Sequence, residues 1–165
     1  MTKLVFVQRE IEDKLGPMLL IAYLKAHGID SILIIDPFKN IDTIKKLRPD
    51  WIAMSLCSPS VEWTLAACRF LKKHIPQSRT ILGGPHPTFF PEIIHENGVD
   101  VICRGEGEKP FLKLMQTYDG TLTSIRSIPN IWIKDGHQII KNALTHLLTE
   151  DELNALPMAD RSHYA

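Results

Sequence analysis

Three short stretches of the sequence carry residue types that can hold a ligand. Ser55-Leu56-Cys57-Ser58 sets two hydroxyls around a thiol. Gly83-Gly84-Pro85-His86-Pro87-Thr88 joins paired glycines to an imidazole and a hydroxyl, and Gly105-Glu106-Gly107-Glu108 alternates glycine with carboxylate. Glycine lets a backbone come close to a ligand, and the free N–H groups at a helix start attract anionic groups. The chemistry on offer is recognition. Metal chemistry by this chain alone is not expected: Cys57, Cys68 and Cys103 are widely spaced and form no Cys-x-x-Cys pair. The four close ligands of a zinc or iron–sulfur site are therefore missing.

Each stretch sits where a strand is predicted to end. Apolar runs at residues 3–7, 31–35, 51–56, 80–82 and 99–103 predict five strands, and runs apolar on both faces suit buried parallel strands. Gly16-Pro17 opens a first helix that His27-Gly28 closes, with Pro tolerated in the first turn and Gly favoured as the left-handed cap. Asn40 reads as the N-cap of a short helix that turns Ile41, Ile44 and Leu47 inward, and Asp42 and Lys46 are spaced to pair outside. A third helix covers about 61–74, with Leu65, Phe70 and Leu71 as core candidates, and another covers about 108–118. Alternating strands and helices predict an α/β, flavodoxin-like (Rossmann-like) three-layer sandwich. Its five-stranded parallel sheet has the order 2-1-3-4-5. Ligands bind such sheets at the carboxyl ends of the strands, where all three stretches fall. After Gly120 the pattern changes. Ile131-Trp132-Ile133 and Gln138-Ile139-Ile140 flank Asp135-Gly136, a β-hairpin signal, read as an appendage outside the core. Thr149-x-x-Glu152 is a capping box for a short linker helix ended by Pro157.

One domain of ordinary size accounts for 165 residues. Nineteen Lys and Arg balance nineteen Asp and Glu, which argues against a broad nucleic-acid surface, since that needs a basic excess. No apolar run approaches the roughly 20 residues of a membrane span, and since Met1-Thr2-Lys3 leads straight into a strand-like run no signal peptide is expected. Three cysteines fit the reduced thiols of a cytoplasmic protein. Cys57 and Cys103, at strand ends, are expected to be inert and buried.

Together with Leu15-Gly16-Pro17 and Val99-Asp100, the three stretches give the chain a family likeness. From about Leu4 to Met115 it resembles the N-terminal cobalamin-binding domain of cobalamin-dependent radical S-adenosylmethionine (SAM) enzymes. The wider cobalamin-binding fold uses Asp-x-His-x-x-Gly, then Ser-x-Leu, then Gly-Gly. Here Ser55-x-Cys57 takes the middle place, and 25 residues, 58–82, separate it from Gly83-Gly84. Aligning Gly16 with the first motif's glycine puts Asp13 in the histidine's place and Ile11 in the aspartate's. The resemblance therefore implies cobalamin held base-off with no histidine ligand on cobalt, as in the radical branch. It implies cofactor contacts from Leu15, Gly16, Ser55, Leu56, Ser58, Gly83, Gly84, Pro85, His86, Thr88, Gly105, Glu106 and Gly107. It also implies a parent methyltransferase or related enzyme, whose barrel domain in cis carries a [4Fe-4S] cluster and SAM. The barrel's Cys-x-x-x-Cys-x-x-Cys motif is absent here, so this chain by itself is expected to be catalytically silent, as a truncated first domain or else a stand-alone carrier. Residues 1–120 are then the cobalamin-binding domain, 121–148 the hairpin, and 149–165 a linker toward the barrel.

Each singled-out residue also has a plainer role. His86 can bond loop backbone, or contact the nucleotide tail or corrin amides. Ser55 and Ser58 can cap the third helix or face the tail. Glu106 and Glu108 can be solvent-facing carboxylates at a helix start, hold the loop closed, or meet the next domain. Trp51, Trp63 and Trp132 are expected in packing roles. Two other functions compete. A flavodoxin-like module for FMN or another phosphate-bearing ligand wants a Ser/Thr/Gly-rich loop after the first strand, where Gln8-Arg9-Glu10-Ile11-Glu12-Asp13 is acidic. A receiver-like interaction domain wants an Asp at the end of the third strand, where Ser55 stands.

Overall fold

Continuous apolar runs whose side chains point alternately to the two faces build the sheet. In the computed structural model, which describes residues 2–163, five strands run parallel: β1 (Leu4–Gln8), β2 (Ser31–Ile35), β3 (Trp51–Ser55), β4 (Arg79–Gly83) and β5 (Val101–Cys103). Their order is β2-β1-β3-β4-β5. Leu4 and Phe6 face one side of the sheet, Val5 and Val7 the other. The first side, with Ala53, Ile81 and Val101, packs on Ile21 and Leu24 of α1 (Leu15–Ala26). The other, with Ile52, Met54, Leu82 and Ile102, packs on Ile44 of α2 (Ile41–Leu47) and on Ala67, Cys68 and Leu71 of α3 (Val61–His74). A short α4 (Pro85–Phe89) follows β4, α5 (Glu108–Thr117) joins α1 on its face, and α6 (Glu150–Asn154) comes last. Ser55 pairs with Gly83, so β3 and β4 end level and their loops meet.

The hairpin is part of this sheet, not an appendage. Strand β6 (Ile131–Asp135) pairs antiparallel with β5, and β7 (Gln138–Lys141) with β6, giving seven strands. Ile125, Ile131 and Ile133 are fully buried in the α1–α5 side of the core. The physical reason is the edge: β5 is only three buried residues long, and without β6 its backbone groups would lie open.

Smaller departures have local causes. Asn40 does not cap α2 with its side chain; its amide reaches back to the carbonyls of Ile35 (2.7 Å) and Asp36 (3.3 Å). Asp42 pairs with Lys45 at 3.7 Å instead of Lys46, the i,i+3 neighbour. Leu65 and Phe70 are only half-buried, because Ala67 and Cys68 form the inner stripe of α3. Between β4 and β5 the chain makes α4 and a 3-10 turn, Pro91–His95, where Pro85, Pro87 and Pro91 withhold backbone donors. Cys57 is exposed, contrary to expectation, since the chain leaves the sheet at Leu56 and turns outward through Ser58–Ser60. The capping box of α6 is formed: Thr149 Oγ1 accepts the Glu152 N–H, and Glu152 accepts the Thr149 N–H. No helix among the described residues is long and apolar enough to cross a membrane.

Candidate ligand cleft

A cleft of about 150 Å³ opens at the carboxyl edge of the sheet, between α1 and α5. Ser55, Gly83 and Gly84 contribute its floor, Phe6, Leu20 and Phe111 its apolar walls, and Gly105, Glu106, Gly107 and Glu108 its lip. An apolar cavity of about this size takes up a benzene ring. Outward it meets a basin of about 580 Å³ bordered by Leu15, Gly16, Cys57 and Pro85. A third hollow of about 180 Å³ lies toward Gln8 and Trp63, and Pro17 and Ser55 border all three.

The glycines fall into two kinds. Gly84 is required by the fold. Its φ is +100°, and a Cβ there would stand 2.9 Å from the Leu56 carbonyl oxygen and 3.2 Å from Ser55 Oγ. Leu56 donates its N–H to the Gly83 carbonyl (2.8 Å) and accepts from the His86 N–H (3.1 Å), which clamps the loops after β3 and β4 together. By contrast, a Cβ on Gly16 meets nothing within 4 Å, and those on Gly83 and Gly107 meet only ordinary contacts at 4.0 and 3.7 Å. These three leave open space that the fold does not need, which is what a close-approaching ligand requires.

Several of the expected contact residues also hold the loops together. The Leu56 side chain is fully buried in the α2–α3 side of the core, and only its backbone lies under the cleft. Thr88 Oγ1 donates to the Gly84 carbonyl (2.8 Å) and accepts the Gly105 N–H (2.9 Å), while its carbonyl accepts two bonds from the Arg104 guanidinium. It therefore ties the loops after β4 and β5. His86 Nδ1 lies 2.9 Å from Ser58 Oγ, and its ring stacks on Phe90 at 5.0 Å. That pair links the loops after β3 and β4. Leu56, Ser58, His86 and Thr88 do not line the 150 Å³ cleft.

Two residues outside the predicted set matter. Asn130 is buried with φ +66°, a conformation Asn tolerates better than most. Its side-chain amide donates to the Glu106 carbonyl (3.2 Å) and accepts the Thr145 N–H (2.7 Å). Its carbonyl accepts the Arg104 N–H. It thereby pins the Gly105–Gly107 lip to the chain beyond β7. Glu108, at the start of α5, is 9% exposed, and its Oε2 has no partner. Burial raises its carboxyl above the usual range. Its own backbone N–H opposes the rise, Glu106 adds to it, and the Gly107 N–H opposes it. Beside it, burial pushes the Cys103 thiol up to about 12, so no thiolate faces the cleft. Glu108's place in an apolar wall has no signature in the sequence; one turn of helix decides it.

The B12 binding domain family matches residues 3–115, a span that holds every residue lining the cleft. The chain belongs to this family. Its relatives include the anaerobic magnesium-protoporphyrin IX monomethyl ester cyclase of Cereibacter sphaeroides, 28% identical over 133 residues, 78% of this chain and 22% of that protein. The enzyme of the same name from Rubrivivax gelatinosus is 31% identical over 109 residues, 61% and 20% of the respective lengths. The chain thus spans about a fifth of these relatives. The cobalamin-dependent SAM radical enzyme OxsB, solved with aqua-cobalamin bound, superposes on 96% of this chain and 24% of its own with a TM-score of 0.74 at 19% identity. That match shows a shared fold.

In this B12-binding domain the loop after β1 is organised by Gln8, whose amide donates to the carbonyls of Glu10 (2.9 Å) and Glu12 (2.6 Å). Asp13 is exposed in that loop, 3.8 Å from the Arg161 guanidinium. The residues present fit a bulky ligand with an aromatic end: glycines leave room, apolar rings wall the cleft, and one buried carboxyl oxygen awaits a partner.

Proposed function

We propose that this B12-binding domain holds cobalamin with its nucleotide base released from cobalt, as the carrier module of a cobalamin-dependent radical SAM enzyme. The observation that carries the reading is the glycine-floored cleft between α1 and α5, inside the span the family matches. Gly16, Gly83 and Gly107 admit the tail, and Phe6, Leu20 and Phe111 cover its base and exclude water. The Ser55 hydroxyl borders all three hollows and orients the tail by hydrogen bonding. The outer basin at Leu15, Cys57 and Pro85 accommodates the bulkier part. No protein nitrogen takes the lower cobalt position. Asp13 stands where the ligating histidine of the wider family is found, and His86 is engaged with Ser58 and Phe90. That face would be empty, water-bound, or covered by a side chain from the 56–60 loop. Bound cobalamin would supply a reducible cobalt centre for methyl transfer or a related reaction.

The parent enzyme carries its [4Fe-4S] cluster and SAM on a barrel in cis, reached through residues 149–165, and works in the cytoplasm. The length of the relatives supports a larger parent, and the two cyclases among them place cyclisation among the related reactions.

Titration with hydroxocobalamin tests the reading. A base-off absorption spectrum is expected, and the electron paramagnetic resonance of the bound cob(II)alamin should lack nitrogen superhyperfine splitting. Splitting that disappears in His86→Ala would show a histidine on cobalt and overturn the base-off assignment.

A further inference from the structure

A carboxyl oxygen without a hydrogen-bond partner, in a side chain nine-tenths buried, is costly to keep. Glu108 carries such an oxygen: the residue is 9% exposed, on the lip of the cleft and beside Phe111, and Oε2 makes no hydrogen bond, while the backbone N–H groups of Gly107 and Glu108 act on the rest of the carboxyl. Its neighbours offer no cation within the cleft. α1 presents Gly16, Pro17 and Leu20 to the same space, and the β5 loop presents Cys103 and the like-charged Glu106. On its far side a small hollow of about 60 Å³ holds Lys109 and His146. Both are committed to Glu152: Lys109 by a salt bridge and His146 at 3.9 Å. The fold therefore leaves Oε2 to be satisfied by whatever fills the cleft.

We propose that Glu108 is the residue that recognises the buried heterocyclic base, its carboxyl hydrogen-bonding the ring nitrogen that the base frees when it leaves cobalt. The inference rests on the cobalamin reading above and adds the identity of the specificity-determining contact. A released benzimidazole carries one basic nitrogen, and in an apolar slot that nitrogen needs a partner as much as the carboxyl does. One proton shared between the carboxyl oxygen and the nitrogen satisfies both. The pair is neutral overall as acid plus base, so no net charge enters the cleft. Burial raises the Glu108 carboxyl, so the proton is held to higher pH than on an exposed carboxylate. Above the pKa of Glu108, binding must take up a proton, and affinity falls as pH rises, toward a limit of tenfold per pH unit. The ring-free part of the ligand makes no demand on Glu108.

The test compares the wild-type chain with Glu108→Gln and Glu108→Ala. Hydroxocobalamin is titrated across pH, and cobinamide, which lacks the nucleotide base, is the control ligand. Melting curves of the free proteins verify folding. Glu108→Gln keeps the shape and an N–H donor, so its affinity should lose the pH dependence seen in the wild type. Taking the difference between these two proteins cancels the ligand's own titrations. Glu108→Ala should bind hydroxocobalamin roughly tenfold more weakly, the usual size for a buried hydrogen bond lost. All three should bind cobinamide alike. Equal pH profiles for wild type and Glu108→Gln would overturn the inference while leaving the cobalamin reading intact, as would equal losses with cobinamide. A folded wild-type chain that binds no hydroxocobalamin would overturn the reading itself, and this inference with it.

Discussion

At the scale of residues, two glycines that adjoin in sequence do different work. Gly84 holds φ +100° and ψ −172° against the Leu56 backbone, so Gly84→Ala should cost about 1–3 kcal/mol from backbone strain alone and lower the melting temperature with no ligand present. Substitution there cannot isolate a ligand contact. Gly83 has ordinary φ and room for a Cβ. Gly83→Val should keep the wild-type melting temperature and weaken hydroxocobalamin binding; loss of stability without loss of affinity would count against the cleft. Glu108 makes a prediction of its own in the free protein. Its folded pKa is raised, so between the unfolded value and the folded one the native state binds more protons and stability falls as pH rises. Glu108→Gln should therefore gain on wild type as pH rises from 4 toward 7, read as the difference in melting temperature. A gap that does not change with pH would mean that the carboxyl ionises freely in the fold.

Between elements, the site is held by side chains that bond backbone across loops. Asn130 satisfies the Glu106 carbonyl and the Thr145 N–H at once, and both lose their partner in Asn130→Ala. The expected cost is about 2–4 kcal/mol from unpaired backbone groups. Faster proteolytic cutting near 142–149 should accompany it, because that segment rests on the same residue. Unchanged cutting would assign the segment's order to the Lys109–Glu152 salt bridge and α6 instead. Asp100 plays a comparable part at the opposite edge of the sheet. Its carboxylate accepts from Lys72 Nζ (2.6 Å) and the Thr80 N–H (2.7 Å), while the Thr80 hydroxyl also bonds the Gly98 carbonyl. The turn into β5 is thereby fastened to α3 and β4, and Gly98 packs so close to the Cys68–Arg69 backbone that a Cβ would lie 2.7 Å from it.

For the molecule as a whole, the hairpin decides where the domain stops. The family match ends at residue 115, yet Ile125, Ile128, Ile131 and Ile133 complete the core that α1 and α5 cover. A chain cut after Gly120 should expose β5 as an open apolar edge and aggregate, whereas one cut after Leu148 should remain monodisperse in size-exclusion chromatography. A soluble, ligand-binding 1–120 fragment would show that the hairpin is dispensable.

Much of this was legible in one dimension. Continuous apolar runs such as Leu4–Val7 and Trp51–Met54 are read in the same way by any buried parallel sheet, so strand number, order and carboxyl edge followed from local pattern. The glycine-bearing stretches at 83–84 and 105–107 could be placed at strand ends for the same reason, because turns are short-range structures. What pattern could not decide was direction and company. Whether Leu56 faces the cleft or the core depends on one residue of register. Whether β6 pairs with β5 depends on an edge left open by a three-residue strand. Glu108 looks from its sequence neighbours like a solvated carboxylate at a helix start. Only the packing of α5 beside Phe6 and Leu20 of other elements takes its oxygen out of water, since burial is a property of distant neighbours and not of the chain around it.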